Sequence, residues 1–389
     1  MKLDPEAFLK RKGIKRLLKA LDAKLGTSRF VGGAVRDLLL GEIPGDLDLA
    51  TILHPAEVIR RLEAAGIKAV PTGIDHGTVT AVSSGTVVEV TTLRSDVSTD
   101  GRRATVAFTD DWSKDAGRRD FTINALYADP FTGELFDYFD GCDDLKTRTV
   151  RFIGEPLQRI AEDHLRILRY FRFHARYGHG QPDPEALKAC TDRANDLMAL
   201  SRERIADELL KLLSLDDPTS TVTLMHGRGL FAPVVPEITD ISRLGALVAA
   251  EKSAKIKPDP LRRLAALLPA DPTTAERVAA RLKLSNKAKK RLGSAANREL
   301  GLNPRALAYR IGAEAAVDRL LLTGHPAEAR SIAKWTPPRM PIGGGEVIAR
   351  GVPEGPQVAR TLRLIEDAWE AAGFPTGDKF DRLVDEALG

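Results

Sequence analysis

The chain is short of cysteine, short of aromatic residues and without any long apolar run. Only Cys142 and Cys190 occur among 389 residues. Neither sits in a Cys-x-x-Cys pair, and no Cys/His spacing fits zinc, so a disulfide scaffold and a structural zinc site are excluded and two reduced thiols are expected. No stretch is long and apolar enough to span a bilayer. The N-terminus, MKLDPEAFLKRKGIKRLL, is polar and amphipathic and lacks a signal-peptide core. A cytoplasmic protein with no membrane partner is expected. Aromatic residues make up 5% of the chain, and Trp112, Trp335 and Trp369 stand too far apart in sequence to form a stacking surface. They read as internal packing. An excess of one charge is also missing. The net charge is +4, yet Lys and Arg total 58. Enough cations exist to gather on one face, which permits a polyanionic partner without requiring one.

The patterning that is present falls into two halves. From residue 1 to about 150, helical and strand patterns alternate. Leu17, Leu18, Leu21 and Leu25 keep helical spacing. Arg29–Val31 reads as a strand, Ala34–Leu40 as a helix, Asp46–Thr51 as a strand and Pro55–Ala65 as a helix opened by proline. Thr78–Val82 and Thr86–Thr91 are β-branched runs separated by Ser-Ser-Gly, an antiparallel hairpin. After residue 150 the strand signal fades. Leu157–Ala175, Arg202–Ser214, Val222–Leu230, Arg262–Leu268, Ala275–Leu284, Lys287–Leu292 and Glu314–Leu322 are helical by period. No repeat and no low-complexity tract occurs. The fold class is an α/β head, with a small mixed sheet, followed by an elongated all-α neck, body and tail. The expected divisions are 1–150, 151–215, 216–330 and 331–389.

Three constellations carry chemistry. The first is Gly32-Gly33-Ala34-Val35-Arg36-Asp37 followed by Asp46-Leu47-Asp48. Alternate strand residues share a face, so Asp46 and Asp48 point together while Leu47 and Leu49 turn to a core. Paired carboxylates on a strand suit metal-assisted phosphoryl or nucleotidyl transfer, with Mg²⁺ as the hard cation. Glu89 offers a third carboxylate. A Gly-Gly turn opening a helix, with Arg36 one turn in, suits a phosphate. An isolated Asp-x-Asp is more often a surface turn. The second constellation is Arg118-Arg119-Asp120-Phe121-Thr122-Ile123-Asn124-Ala125, read as two arginines ahead of a helix N-capped by Asp120.

The third is Glu162-Asp163-His164-Leu165-Arg166-Ile167-Leu168-Arg169-Tyr170-Phe171-Arg172-Phe173. Asp163, Arg166, Arg169 and Arg172 recur every third residue and drift by about 60° per step around one broad polar side of a helix. Leu165, Leu168 and Phe171 take another side. Salt bridges on an amphipathic helix would explain such a pattern. Base-edge chemistry explains it too. Asp163 accepts and Arg166 donates. Cytosine and adenine both present an amino donor beside a ring-nitrogen acceptor, whereas uracil and guanine present the reverse order. An Asp/Arg pair therefore accepts C or A. A reversed edge leaves buried polar groups unpaired at a cost of about 1–3 kcal/mol each.

Together GGAVRD, DLD, RRDFTINAL and EDHLRILRYFRF resemble the signature motifs of class II tRNA nucleotidyltransferases, the CCA-adding enzymes, whose close relatives are bacterial poly(A) polymerases. Glu89-Val90-Thr91-Thr92-Leu93-Arg94, Arg151-Phe152-Ile153-Gly154 and Ser201-Arg202-Glu203-Arg204-Ile205-Ala206-Asp207-Glu208-Leu209 add to the resemblance. It covers roughly residues 25 to 215, and SDVSTDGRRATVAFTDDWSKDAGRRDFT is similar to the eukaryotic and mitochondrial branch. The resemblance implies that Asp46 and Asp48 are the catalytic, metal-binding pair for two Mg²⁺ ions. It implies that Gly33, Arg36 and Arg119 contact the nucleotide, that Asp163 and Arg166 form an amino-acid template, and that Arg169 and Arg172 support it. The implied reaction adds C, C and A to a tRNA lacking its 3′ CCA, from CTP and ATP, and no obligate protein partner is implied.

Alternatives within the family are a partial, A-adding enzyme and a poly(A) polymerase. A non-catalytic RNA-binding module is the alternative of another class. Enzymes of the family that add only CC tend to lack the loop between the two head motifs. Here the stretch from Arg94 to about Asp115 is long and polar, which disfavours that subtype. Lys283, Lys287, Lys289, Lys290 and Arg291 make a basic segment that suits either RNA phosphates or a solvated face. Gly343-Gly344-Gly345 reads as a turn between helices, or as backbone open to phosphate. No His-Asp dipeptide of the phosphohydrolase kind occurs.

Overall fold

In a computed structural model the described residues are 2–100, 103–301 and 303–388, and the side chains of 96–106 lie outside the description. The chain divides into two compact units. One is Met1–Ser201 with Arg228–Pro233, and the other is Arg202–Gly227 with Val234–Gly389.

The first unit is built on strands β1 (Ser28–Val31), β2 (Leu47–Thr51), β3 (Lys68–Gly73), β4 (Thr78–Ser83), β5 (Thr86–Thr92), β6 (Arg94–Asp100), β7 (Arg103–Phe108), β8 (Leu126–Ala128) and β9 (Leu135–Asp137). Seven of them form one mixed sheet in the order β3-β4-β5-β2-β1-β8-β9. All its pairings are antiparallel except β2 with β5. The β4–β5 hairpin is the expected one. It turns through Ser84 and Gly85, both at positive φ (52° and 85°), as tight hairpin turns require. Val79, Ala81, Val88 and Val90 are fully buried, so alternation points one face of each strand into the core. Leu47 and Leu49 are buried as expected, each contributing on the order of 2 kcal/mol. Asp46 falls just before β2 rather than inside it.

The polar stretch after Arg94 is not an open loop. It forms a two-stranded hairpin, β6 with β7, pairing Arg94 with Phe108 at its base. Residues 101 and 102 lie outside the described residues. Next come helices Trp112–Gly117, Pro156–Glu162, Arg166–Tyr177 and Pro184–Asp192. The single helix expected over Leu157–Ala175 is therefore two. Asp163 has an extended backbone (φ −153°, ψ 104°), and its Oδ1 accepts the Leu165 amide at 3.1 Å. Such a side-chain bond to the backbone two residues on competes with the helix and breaks it.

The second unit is helical throughout its described residues. Leu247, Ala266, Val317, Leu320 and Ile332 pack one core, and Val347, Ile365, Trp369, Phe380 and Val384 pack another. Trp369 is fully buried, with its indole N–H donating to the Pro375 carbonyl at 2.8 Å. Arg291 departs from the expectation of a phosphate contact. Its Nε donates to the buried Asp318 at 2.7 Å, and it also pairs with Asp259 and Glu314. The period of the Asn286–Asn297 helix turns this one cation inward. Lys283 pairs with Glu203, while Lys287 and Lys290 are exposed. Gly343 caps the Gly344–Ala349 helix, with its N–H donating to Glu346 Oε2 at 2.8 Å, so the glycine run serves a helix start. Cys142 and Cys190 are free thiols.

Candidate active site

The Gly-Gly turn lies where β1 ends and the Gly33–Leu39 helix begins. Gly32 adopts φ +66° with ψ −123°, a conformation that side-chain-bearing residues avoid. Its N–H donates to the Leu126 carbonyl at 3.0 Å, which ties the turn to β8. A Cβ at Gly32 would stand 3.5 Å from an Nη of Arg119. That is an ordinary contact, so it is the positive φ and not the space that calls for glycine here.

Across the sheet, Asp48 on β2 stands in register with Glu89 on β5. Asp48 is half-buried, while Asp46 and Glu89 are exposed. Burial, then the charge of Glu89 and that of Asp46, push the Asp48 carboxyl up to about 6, against the pull of Arg119. Asp46, Asp48, Glu89 and Arg119 therefore share one electrostatic neighbourhood. Among the described residues no three His, Cys, Asp or Glu side chains form a closed ligand cage. The donors here are carboxylate oxygens whose mutual repulsion a hard cation would relieve, and this fits Mg²⁺.

Arg36 is buried rather than directed outward. Its Nε and Nη2 donate to Asp37 Oδ1 at 3.0 and 2.8 Å, and its Nη1 donates to Asn124. Its guanidinium lies 4.0 Å from the centre of the Tyr177 ring, whose hydroxyl donates to Asp37 at 3.2 Å. Arg36 thus fastens the turn-bearing helix to the Arg166–Tyr177 helix. Gly33 would place a Cβ 3.5 Å from Arg36 Nη2, an ordinary contact.

The expected arrangement of Arg118 and Arg119 ahead of a helix is overturned. They follow the Trp112–Gly117 helix, whose N-cap is Asp111. Asp120 then leads into a single 3₁₀ turn, Thr122–Asn124, before β8. Its Oδ1 accepts the Phe121 N–H and the Asn124 side-chain amide, and its Oδ2 accepts Arg169. Residues 121–128 are buried without a break, so no amphipathic helical face forms there.

Arg118 and Arg119 are pinned by Asp115, a carboxylate 1% exposed, and Arg119 also by the Tyr127 hydroxyl. The carbonyls of this segment accept from arginines of the two helices that flank Asp163. Arg166 Nη2 donates to the Arg118 carbonyl at 3.2 Å, and Arg159 Nη2 donates to the Arg119 carbonyl at 2.8 Å. Glu162 accepts both Arg159 and Arg166. The segment therefore links the charge of Arg119, which acts on Asp48, to Arg166, which its backbone meets.

Arg166, Arg169 and Arg172 share the Arg166–Tyr177 helix, with Leu168 and Phe171 buried, while Asp163 sits in the break before it. Arg172 lies over the Phe173 ring at 4.6 Å. The residue reading missed Asp115, Tyr127, Arg159 and Glu162. Their signal was legible for Asp115 and Glu162, whose carboxylates lie three or four positions from an arginine on a helix. Tyr127 gave none, because its partners come from another element.

The sequence profile described as "Poly A polymerase head domain" matches residues 28–151, and that described as "Probable RNA and SrmB- binding site of polymerase A" matches residues 181–242. The Mus musculus protein "CCA tRNA nucleotidyltransferase 1, mitochondrial" is 35% identical over 395 residues, which cover 96% of this chain and 90% of that protein. The similarity therefore runs through the helical half as well, beyond the motif-bearing segment. The Levilactobacillus brevis CCA-adding enzyme is 42% identical over 204 residues, 52% of this chain and 50% of that one. Among solved structures, the Bacillus stearothermophilus CCA-adding enzyme in complex with CTP superposes with a TM-score of 0.75, over 97% of this chain and 98% of that one, at 26% identity.

Proposed function

Because this chain belongs to the CCA tRNA nucleotidyltransferase family, we propose that it adds C, C and A to the 3′ end of tRNA from CTP and ATP, releasing pyrophosphate. The observation that carries the reading is the alignment at 35% identity across 96% of the chain. The family implies a divalent metal, and the carboxylates present suit one. Asp46 and Asp48 would hold two Mg²⁺ ions, whose charge supplies activation of the attacking 3′-hydroxyl and neutralisation of the triphosphate.

This chain's own residues do the rest. Glu89, abreast of Asp48, is the third carboxylate of the site. Gly32 and Gly33 keep side chains out of the way of the triphosphate, and Arg119 contacts the nucleotide from above the turn. Arg36 holds the turn against Tyr177. Asp163 accepts from the amino group of C or A. Arg166 spends three N–H groups on Arg159, Glu162 and Arg118, which leaves Nε–H and one Nη2–H of its five for the ring nitrogen. Arg169, through Asp120, and Arg172 hold that corner in place. The hairpin of β6 and β7 is the lever that reshapes the pocket from C to A. Shortening it is expected to spare CTP incorporation and abolish the terminal A, and equal loss of both would sink that role.

The test is one incubation of tRNA lacking CCA with labelled nucleotides, with the products sized. A stop after C, C and A supports the proposal. A long A ladder would point to a poly(A) polymerase, a lone A to a partial enzyme, and tRNA binding without incorporation to an RNA-binding module. Among the described residues no helix is long and apolar enough to cross a membrane. A cytoplasmic location is part of the proposal, and fractionation against a mitochondrial marker tests it, since the mouse relative is named as mitochondrial.

A further inference from the structure

Asp115 divides its two carboxylate oxygens between two parts of the head. Oδ1 accepts the backbone N–H of Arg94 at 3.2 Å and Arg118 Nε at 2.9 Å. Arg94 is the first residue of β6 and pairs with Phe108, so this oxygen grips the base of the hairpin. Oδ2 accepts the Tyr127 hydroxyl at 2.7 Å and Arg119 Nη2 at 3.2 Å. Tyr127 in turn accepts Arg119 Nε at 3.2 Å, so Asp115 and Tyr127 hold the guanidinium on two sides. Both are buried, Asp115 at 1% exposure and Tyr127 at 0%. Trp112 stands edge-on to the Tyr127 ring at 5.6 Å and closes that flank. A buried carboxylate with four donors has one geometry available to it. Arg119 therefore cannot shift without disturbing the group that holds Arg94.

The geometry points to Asp115 as the positioning residue for Arg119, with Tyr127 as its second support, and to a mechanical tie through Asp115 between the nucleotide arginine and the base of the β6–β7 hairpin. This inference rests on the proposed role of Arg119 in nucleotide binding. It extends that role by naming what aims the arginine and what else the aiming group holds. Asp115 itself touches no substrate.

The test is a double-mutant cycle on the full chain, using tRNA lacking CCA with CTP and tRNA ending in CC with ATP. Asp115→Asn is expected to raise the nucleotide KM about tenfold, with a smaller change in kcat, because one charge-assisted support of a binding arginine is lost. Tyr127→Phe, which removes one hydroxyl and keeps the ring, is expected to raise it about threefold. In an Arg119→Ala background neither substitution should raise KM further. Amide exchange in a peptide spanning Arg94 should speed up in Asp115→Asn and stay unchanged in Tyr127→Phe. Equal KM effects in both backgrounds would overturn the positioning role, and so would an unchanged KM in Tyr127→Phe should Asp115→Asn fail to fold. Unaltered exchange at Arg94 in Asp115→Asn would overturn the tie. If instead the wild-type chain incorporates neither CTP nor ATP, the proposed function fails, and it fails separately from this inference.

Discussion

Two clusters, one in each unit, use the same charged residue types to opposite ends. In the second unit Arg262, Arg263, Glu251 and Asp318 are each no more than 5% exposed, and every charge meets its opposite. Glu251 accepts Arg262 at 2.7 Å and Arg263 at 2.9 Å, while Asp318 accepts Arg262 at 2.8 Å and Arg291 at 2.7 Å. Arg263 also donates to the carbonyls of Leu213 and Asp216. In the first unit Asp46, Asp48 and Glu89 face one another, with Arg119 as the opposing charge. A compensated cluster holds helices together. An uncompensated one stores repulsion that a bound cation can convert into affinity. The compensated cluster is buried, while Asp46 and Glu89 of the other are exposed. The balance of sign differs as well.

Substitutions can break that comparison at either end. Asp46→Ala has the largest expected effect, a fall in nucleotide incorporation of about a thousandfold or more, with melting temperature and tRNA binding held. A comparable loss of melting temperature would place Asp46 with the structural clusters. Asp318→Ala should do the converse. It takes one of two carboxylates from Arg262 and one of three from Arg291, and should cost about 1–3 kcal/mol in denaturant unfolding, while activity per folded molecule stays unchanged.

Asp163→Ala should act on choice rather than rate, lowering discrimination of C and A against U and G by about ten- to a hundredfold in competition assays. An unchanged preference would refute the template role. The smallest effect concerns Asp48. Its carboxyl is raised to about 6, so the folded chain binds that proton more tightly than the unfolded chain does. The stability it lends is therefore present at low pH and lost as pH rises through 6. In chelator, wild type should lose on the order of 1 kcal/mol more than Asp48→Asn between pH 5 and pH 7. Equal losses would mean that burial and like charges together do not raise the Asp48 carboxyl.

Much of this site was legible in the sequence because its parts are local. Asp46, Leu47 and Asp48 obey strand alternation, and the Ser84-Gly85 turn announces its hairpin. Asp163 misled because the carboxylate expected to read a base also bonds the Leu165 amide, and a helical period carries no record of that competition. Arg118 and Arg119 misled through their neighbours. Asp120 looks like a helix cap, but its oxygens are claimed by Asn124 and Arg169. Arg291 looks like one more surface cation until Asp318, from a separate helix, is found opposite it. For Asp120 and Arg291 a deciding partner, Arg169 or Asp318, lies in another segment of the chain, whereas for Asp163 it is two residues away. Glu89 shows the reverse, since β-branched neighbours fixed its strand and only the pairing of β5 with β2 made it a partner of Asp48.

The parallel pairing of β2 with β5 also has a consequence in time. The β4–β5 hairpin closes through a two-residue turn and can form early, on the order of microseconds. Strand β5 then has to dock alongside β2, with the whole of Pro55–Ala64 and β3 looped out between them. Such non-local pairing is slow, and here its arrival forces Asp48 and Glu89 together. The newly made chain therefore acquires its chemistry in a late step of assembly, and the same like-charged pair opposes that step. Divalent salt in the refolding medium should hasten the final approach of the strands, so that the ion the finished enzyme works with also helps to complete it.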